Sequence, residues 1–267
     1  MIMFEPSRKT RNLPQRLLLS RMSNTFPPGS GEQGLTLLEC LMAVAVMGLT
    51  IGLVLPPLFI ATATRVQTRR AEQALQLAQG EVDRIRNLVA LQQHTPGNLP
   101  AVINPPGGRL QDAGAPNRAS SQIRTSLTSG CSRHDGTPVS ATTALMVDID
   151  ADCKADFMMQ VFRTTGSTSQ AEQIGQQRPS SFELGVRVYS LLAGRSSATS
   201  ALVNPGGTLT GLLTDAASLG LTNGQGNQLK RPLAVLYTNV SWGDQDATLC
   251  GYQRTQRSQI ESCQDSF

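Results

Sequence analysis

The sequence predicts an α+β protein in which one long N-terminal helix spans a membrane and packs its outer half on an antiparallel sheet. Three observations carry that expectation. Cys40 to Ala61 holds no Asp, Glu, Lys or Arg, an amphipathic pattern comes after it, and four apolar segments with strand character lie in the second half of the chain.

Taken in order, residues 1–34 form a basic leader, 35–64 a membrane-spanning helix, 65–95 its amphipathic continuation, and 96–267 a loop-rich antiparallel β domain. Arg8, Lys9, Arg11, Arg16 and Arg21 oppose only Glu5 and Glu32 in the leader, so most of the overall charge of +4 resides there. The rest of the chain is close to neutral, which argues against a nucleic-acid-binding surface.

The apolar run from Cys40 to Ala61 is long enough to cross a bilayer as a helix. A secretory signal peptide would be shorter and would end in a small-residue cleavage site. Basic residues flank the run on both sides, with Arg65, Arg69 and Arg70 after it, but the leader carries more. The amino terminus is therefore expected in the cytoplasm and the large domain outside. Glu39 stands near the start of the span, where a carboxylate is costly unless it snorkels or has a task. Pro56 and Pro57 remove helical hydrogen bonds within it, so a kink or local melting is expected there.

Beyond the span, Ala71, Leu75, Ala78, Val82, Ile85 and Val89 recur at four- and three-residue steps and define one apolar helix face. Gly80 weakens this helix, and Pro96-Gly97 ends it. The Pro- and Gly-rich stretch from 96 to 120 reads as an extended loop. Strands are expected in "ALMVDID", "FMMQVFR", "FELGVRVYSLL" and "PLAVLYTNVSW", and residues 194–230 as a surface insertion.

Of five cysteines, Cys40 falls in the apolar run and the other four, Cys131, Cys153, Cys250 and Cys263, in the outer part. Their spacing does not suit zinc, so two disulfides in an oxidising compartment are expected, with three pairings open. Sequential pairing is favoured, because Cys131 with Cys153 would enclose the first strand and Cys250 with Cys263 a short C-terminal loop.

Two features raise the question of chemistry. Asp148, Asp150, Asp152 and Asp156 occupy positions one, three, five and nine of a calcium-loop-like pattern, hard oxygen donors of the kind calcium takes. Cys153 stands where the turn glycine belongs and Met159 where the closing Glu belongs. The other account is a strand with Val147 and Ile149 inward and the aspartates solvated. Cys131 and His134 could pair as a thiol catalyst, but a disulfide beside a solvated histidine fits better. No further catalytic set is visible, and no enzyme activity or cofactor other than calcium is expected.

The hexapeptide Gly34-Leu35-Thr36-Leu37-Leu38-Glu39, after a basic leader and before an apolar helix, resembles the processing motif of type IV prepilins and pseudopilins. The resemblance implies removal of the leader by a prepilin peptidase between Gly34 and Leu35, and N-methylation of Leu35. It implies that Glu39 neutralises the new amine of a neighbouring subunit during assembly. A proline at the position of Pro56 is common in that family, as is a C-terminal disulfide loop, and some secretion pseudopilins bind calcium. The implied fold is the pilin arrangement, and the implied function is that of a minor subunit of a type IV pilus or secretion pseudopilus, in assembly, motility, adhesion or export. The implied partners are the peptidase, other pilin subunits and an inner-membrane assembly platform. The implied location is the bacterial inner membrane, then a periplasmic or surface fibre. The rival from another class is a single-span membrane protein with an external binding or enzymatic domain that never polymerises.

Overall fold

The structure is a computed structural model; it describes residues 36–169, 172, 174–194, 203–217 and 229–243. The chain divides into two compact units, Met1–Leu55 and Pro56–Phe267. Gly34, Leu35, Cys250 and Cys263 lie outside the described residues.

Helix α1 runs from Leu37 to Ala90 and belongs to both units. The helix starts two residues later than the expected Leu35 and includes Pro56 and Pro57 without a melted turn. Neither proline donates an N–H, so the carbonyls four residues before them, on Gly52 and Leu53, lack that intrahelical partner. At its other end α1 stops at Ala90, short of the expected Gln93. Gln92 takes a left-handed φ of 57°, and the Gln93 amide donates back to the Leu88 carbonyl at 2.9 Å.

The second unit is built on a five-stranded sheet in the order β1 (Arg118–Arg124), β2 (Thr143–Val147), β3 (Phe157–Arg163), β4 (Ser181–Ser190), β5 (Ala234–Ser241). Neighbours from β2 to β5 are antiparallel, as expected. The sheet as a whole is mixed, because β1 pairs with β2 in parallel. A parallel pair requires a long crossover, and residues 125–142 supply it. Strand β1 falls at the end of the stretch expected to be loop. Its sequence, Arg-Ala-Ser-Ser-Gln-Ile-Arg, shows few of the β-branched or aromatic residues that announce a strand.

Period-two alternation gives the sheet two buried faces. On one, Leu145, Val147, Phe157, Met159, Val161, Leu184, Val186 and Val188 form a single core with Ala74, Ala78, Val82, Ile85 and Val89 of α1. The helix face matches the sequence pattern except at Leu75, which is 41% exposed while Ala74 is fully buried in its stead.

Loops cover the opposite face. Leu110, Ala113, Ala141 and Phe162 form one cluster there, and Met146, Met158, Tyr189 and Leu209 belong to another. Two arginines fasten the 96–114 loop. Arg187 is fully buried and donates to the carbonyls of Gln111, Ala113 and Gly114 and to the Tyr237 hydroxyl, with its guanidinium 4.9 Å over the Phe162 ring. Arg163 donates from Nε to the Pro100 carbonyl at 3.0 Å. Such donors match orphan loop carbonyls that would otherwise be buried without partners. The expected surface insertion also contributes here: Leu209 is buried and the Tyr189 hydroxyl donates to the Leu213 carbonyl. Burial pushes the Tyr189 phenol well above its ordinary range, so it stays a donor at any physiological pH.

Candidate functional site

The start of α1 is built by its own side chains. Thr36 is the N-cap: its carbonyl accepts the Cys40 amide at 3.2 Å, and its hydroxyl accepts the Glu39 amide at 3.3 Å. Thr36-Leu37-Leu38-Glu39 therefore reads as a capping-box sequence, Thr at the cap and Glu at the third helical position. Glu39 also places a carboxylate in the first turn, at the positive end of the helix dipole. The signal for this cap, Thr-x-x-Glu before an apolar run, lies within the hexapeptide from Gly34 to Glu39.

From Leu37 to Ile60 the helix exposes Leu, Val, Ile, Met and Phe side chains around its circumference, 43% to 79% accessible. Its most apolar window reaches a mean hydropathy of 2.3 with none of it buried. One helix is thus long and apolar enough to cross a membrane. Its polar hydroxyls turn inward: Thr50 donates to the Met47 carbonyl, and Thr62 and Thr64 donate to carbonyls three and four residues back. Hydroxyls satisfied on their own helix suit an apolar medium.

Of the four aspartates expected together, the structure converges three. Carboxylate oxygens of Asp148, Asp150 and Asp156 lie within 4.8 Å of one another, while Asp152 turns to Lys154 at 3.2 Å. The alternative of solvated aspartates and an inward Ile149 is corrected at two positions. Asp148 is 5% exposed and Ile149 is 42% exposed, because β2 ends at Val147 and the alternation stops with it. Asp148 accepts the amides of Ala151 and Cys153, and Asp156 accepts that of Ile149. Burial would raise the Asp148 carboxyl, but bonds from Thr125 and from those amides outweigh it and hold it below the usual range. Asp150 is raised, first by desolvation and then by Asp152 and Asp156. These carboxylates shape a turn in which Ala151 and Cys153 take left-handed φ values of 63° and 66°. Asp148, Asp150 and Asp156 are hard oxygen donors close enough to share one cation.

The Cys131–Cys153 disulfide is present, with Cα atoms 5.6 Å apart, and encloses β2 as expected. It joins the crossover loop to the aspartate turn. Cys131 is thereby committed, so no thiol stands beside His134. That histidine contacts Gln122 at 3.3 Å and is held below its ordinary range, chiefly by desolvation.

One constellation has only a faint trace in the sequence. Glu81 lies in the buried stripe of α1, 3% exposed, and accepts bonds from Arg84 (2.7 Å) and from Arg124 on β1 (2.6 Å). Its signal is positional, since Glu81 sits three residues from Ala78 and four from Ile85 on the apolar face.

Family models, characterised proteins and solved structures give no match to this chain.

Proposed function

We propose that the chain is a prepilin-like minor subunit, cut after Gly34, methylated at Leu35 and built through its N-terminal helix into a type IV pilus or secretion pseudopilus. The observation that carries this reading is one continuous juxtaposition: Gly34-Leu35-Thr36-Leu37-Leu38-Glu39 leads directly into a helix whose apolar side chains are exposed on every side. A helix apolar all round requires a bilayer or a bundle of like helices. Removal of the leader would place a positive amine four residues before Glu39, and in a low-dielectric bundle the Glu39 of one subunit can neutralise the amine of the next. The inner-membrane assembly platform and other subunits are the partners that this reading requires.

The second reading, a single-span anchored domain that never polymerises, is favoured by the cap itself. Thr36 caps the helix end through the Glu39 amide, and the Glu39 carboxylate stands in the first turn at the positive end of the helix dipole, a task that requires no neighbour. Incorporation separates the two. The chain would be expressed beside a complete assembly system and the sheared fibres probed for it. Assembly predicts the chain in the fibre fraction, and a fall of at least about tenfold for Glu39→Gln at equal membrane level. Absence of wild type from fibres, or equal incorporation of the variant, favours the anchored domain.

A further inference from the structure

A cleft of about 250 Å³ opens where α1, the end of β1 and the loop 133–139 meet. Its floor is apolar, formed by Leu145 and Val161 from the helix-facing core and by Val139 packed against them. Its wall is cationic, with Arg84, Arg124 and Arg133.

The two carboxylates that line it are already engaged. Glu81 receives Nε and Nη2 of Arg84 and Nη1 of Arg124. Asp135 accepts the amide and the hydroxyl of Thr137 through one oxygen, at 2.9 and 2.6 Å. A guanidinium carries five N–H donors in a planar fork. Arg84 and Arg124 each spend only part of that set on Glu81, and the side chain of Arg133 makes no hydrogen bond among the described residues. Three cations therefore stand against two carboxylates, which leaves one positive charge in excess and several N–H donors to spare. Glu81 has a further effect, because it fixes two guanidiniums side by side in one orientation, which reduces the ordering that a ligand would require.

We infer that this cleft binds a small carboxylate bearing a compact branched apolar group, its oxygens on the unspent N–H groups of Arg84, Arg124 and Arg133 and its hydrocarbon on Leu145, Val161 and Val139. Guanidinium forks suit the planar carboxylate, and the apolar floor rewards a hydrocarbon that acetate and phosphate lack. The cleft lies wholly within the Pro56–Phe267 unit, so its occupancy does not depend on whether the chain enters a fibre.

Calorimetric titration of the full chain in detergent micelles tests this with three probes: 3-methylbutanoate, acetate and inorganic phosphate. Saturable binding of 3-methylbutanoate is expected, with acetate and phosphate at least about tenfold weaker. Arg133→Gln, at an exposed position, should weaken 3-methylbutanoate about tenfold, and Val139→Asp should abolish its binding, both with unchanged far-ultraviolet dichroism. No binding of 3-methylbutanoate at about 20 mM, equal affinity for phosphate or acetate, or full binding by both variants would each overturn the proposal.

Discussion

The Arg124 guanidinium on β1 donates to the buried Glu81 carboxylate on α1 at 2.6 Å, across 43 residues of sequence. A helix and the edge of a sheet are thus joined through one buried carboxylate and a half-exposed guanidinium, with Arg84 adding a second from within the helix. Breaking such a pair leaves a buried charge uncompensated. Arg124→Ala, which leaves the buried Glu81 with Arg84 alone, should lower unfolding free energy by about 1 to 3 kcal/mol, whereas Glu81→Met combined with Arg124→Met should recover most of it. Urea denaturation of the full chain in micelles measures both.

The same carboxylate predicts an acid limit to stability. Burial would raise Glu81, but the hydrogen bonds and charges of Arg84 and Arg124 outweigh it and hold the carboxyl below 4.5. A depressed carboxyl contributes stability that is complete above its unfolded value and is lost as pH falls through its folded value. Unfolding free energy should therefore drop below about pH 4.5, with a shallower slope in the double methionine variant.

His94 predicts a second slope nearer neutrality. It is fully buried, meets Trp242 edge-on at 4.9 Å, and neither ring nitrogen has a partner in good hydrogen-bond geometry among the described residues. Desolvation, and then the charge of Arg178, hold its pKa below 6.5 despite the opposing pull of Glu172 and the Leu88 carbonyl. Below about pH 6.5 the unfolded chain binds a proton that the folded chain refuses, so stability declines as pH falls from there towards the folded value. His94→Phe should flatten the profile between pH 7 and 5, while a slope unchanged by the substitution would contradict the assignment.

Two glycines predict opposite signs for one substitution. A methyl group added at Gly80 meets nothing within 4 Å, so Gly80→Ala should stabilise by up to about 1 kcal/mol through helix propensity. At Gly185 the added carbon would come within 2.6 Å of the Phe162 ring and 3.2 Å of Leu110. Gly185→Ala should destabilise by about 1 to 3 kcal/mol. Thermal melts of the two variants read the contrast directly.

The Cys131–Cys153 bridge closes a segment with a sequence separation of 22. Replacing both cysteines by serine should lower stability by about 3 kcal/mol, read as a lower urea midpoint.

Much of this architecture is legible locally. The apolar face of α1 follows from three- and four-residue spacing, and β2 to β5 follow from alternation. Long-range features are harder to read. Strand β1 is polar along most of its length, and its parallel pairing depends on a crossover that leaves no local pattern. Arg187 and Tyr189 resemble solvent-facing positions of an alternating strand; they are buried because loop carbonyls from 111–114 and 213 descend on them. Loop carbonyls have no signature in the sequence. At the candidate site the cap at Thr36 is readable by spacing. The Glu81 to Arg124 pair is half readable: a charge in an apolar stripe announces a partner but does not say which.

Intact mass with N-terminal sequencing, after co-expression with an active prepilin peptidase, shows whether the peptide bond between Gly34 and Leu35 is cut. Assembly into a fibre requires a mature chain beginning at Leu35, with or without a methyl group, and a Gly34→Ala control that keeps its leader. Wild-type chain left at full length beside a peptidase that cuts its own substrate would contradict it and leave the membrane-anchored domain as the reading that stands.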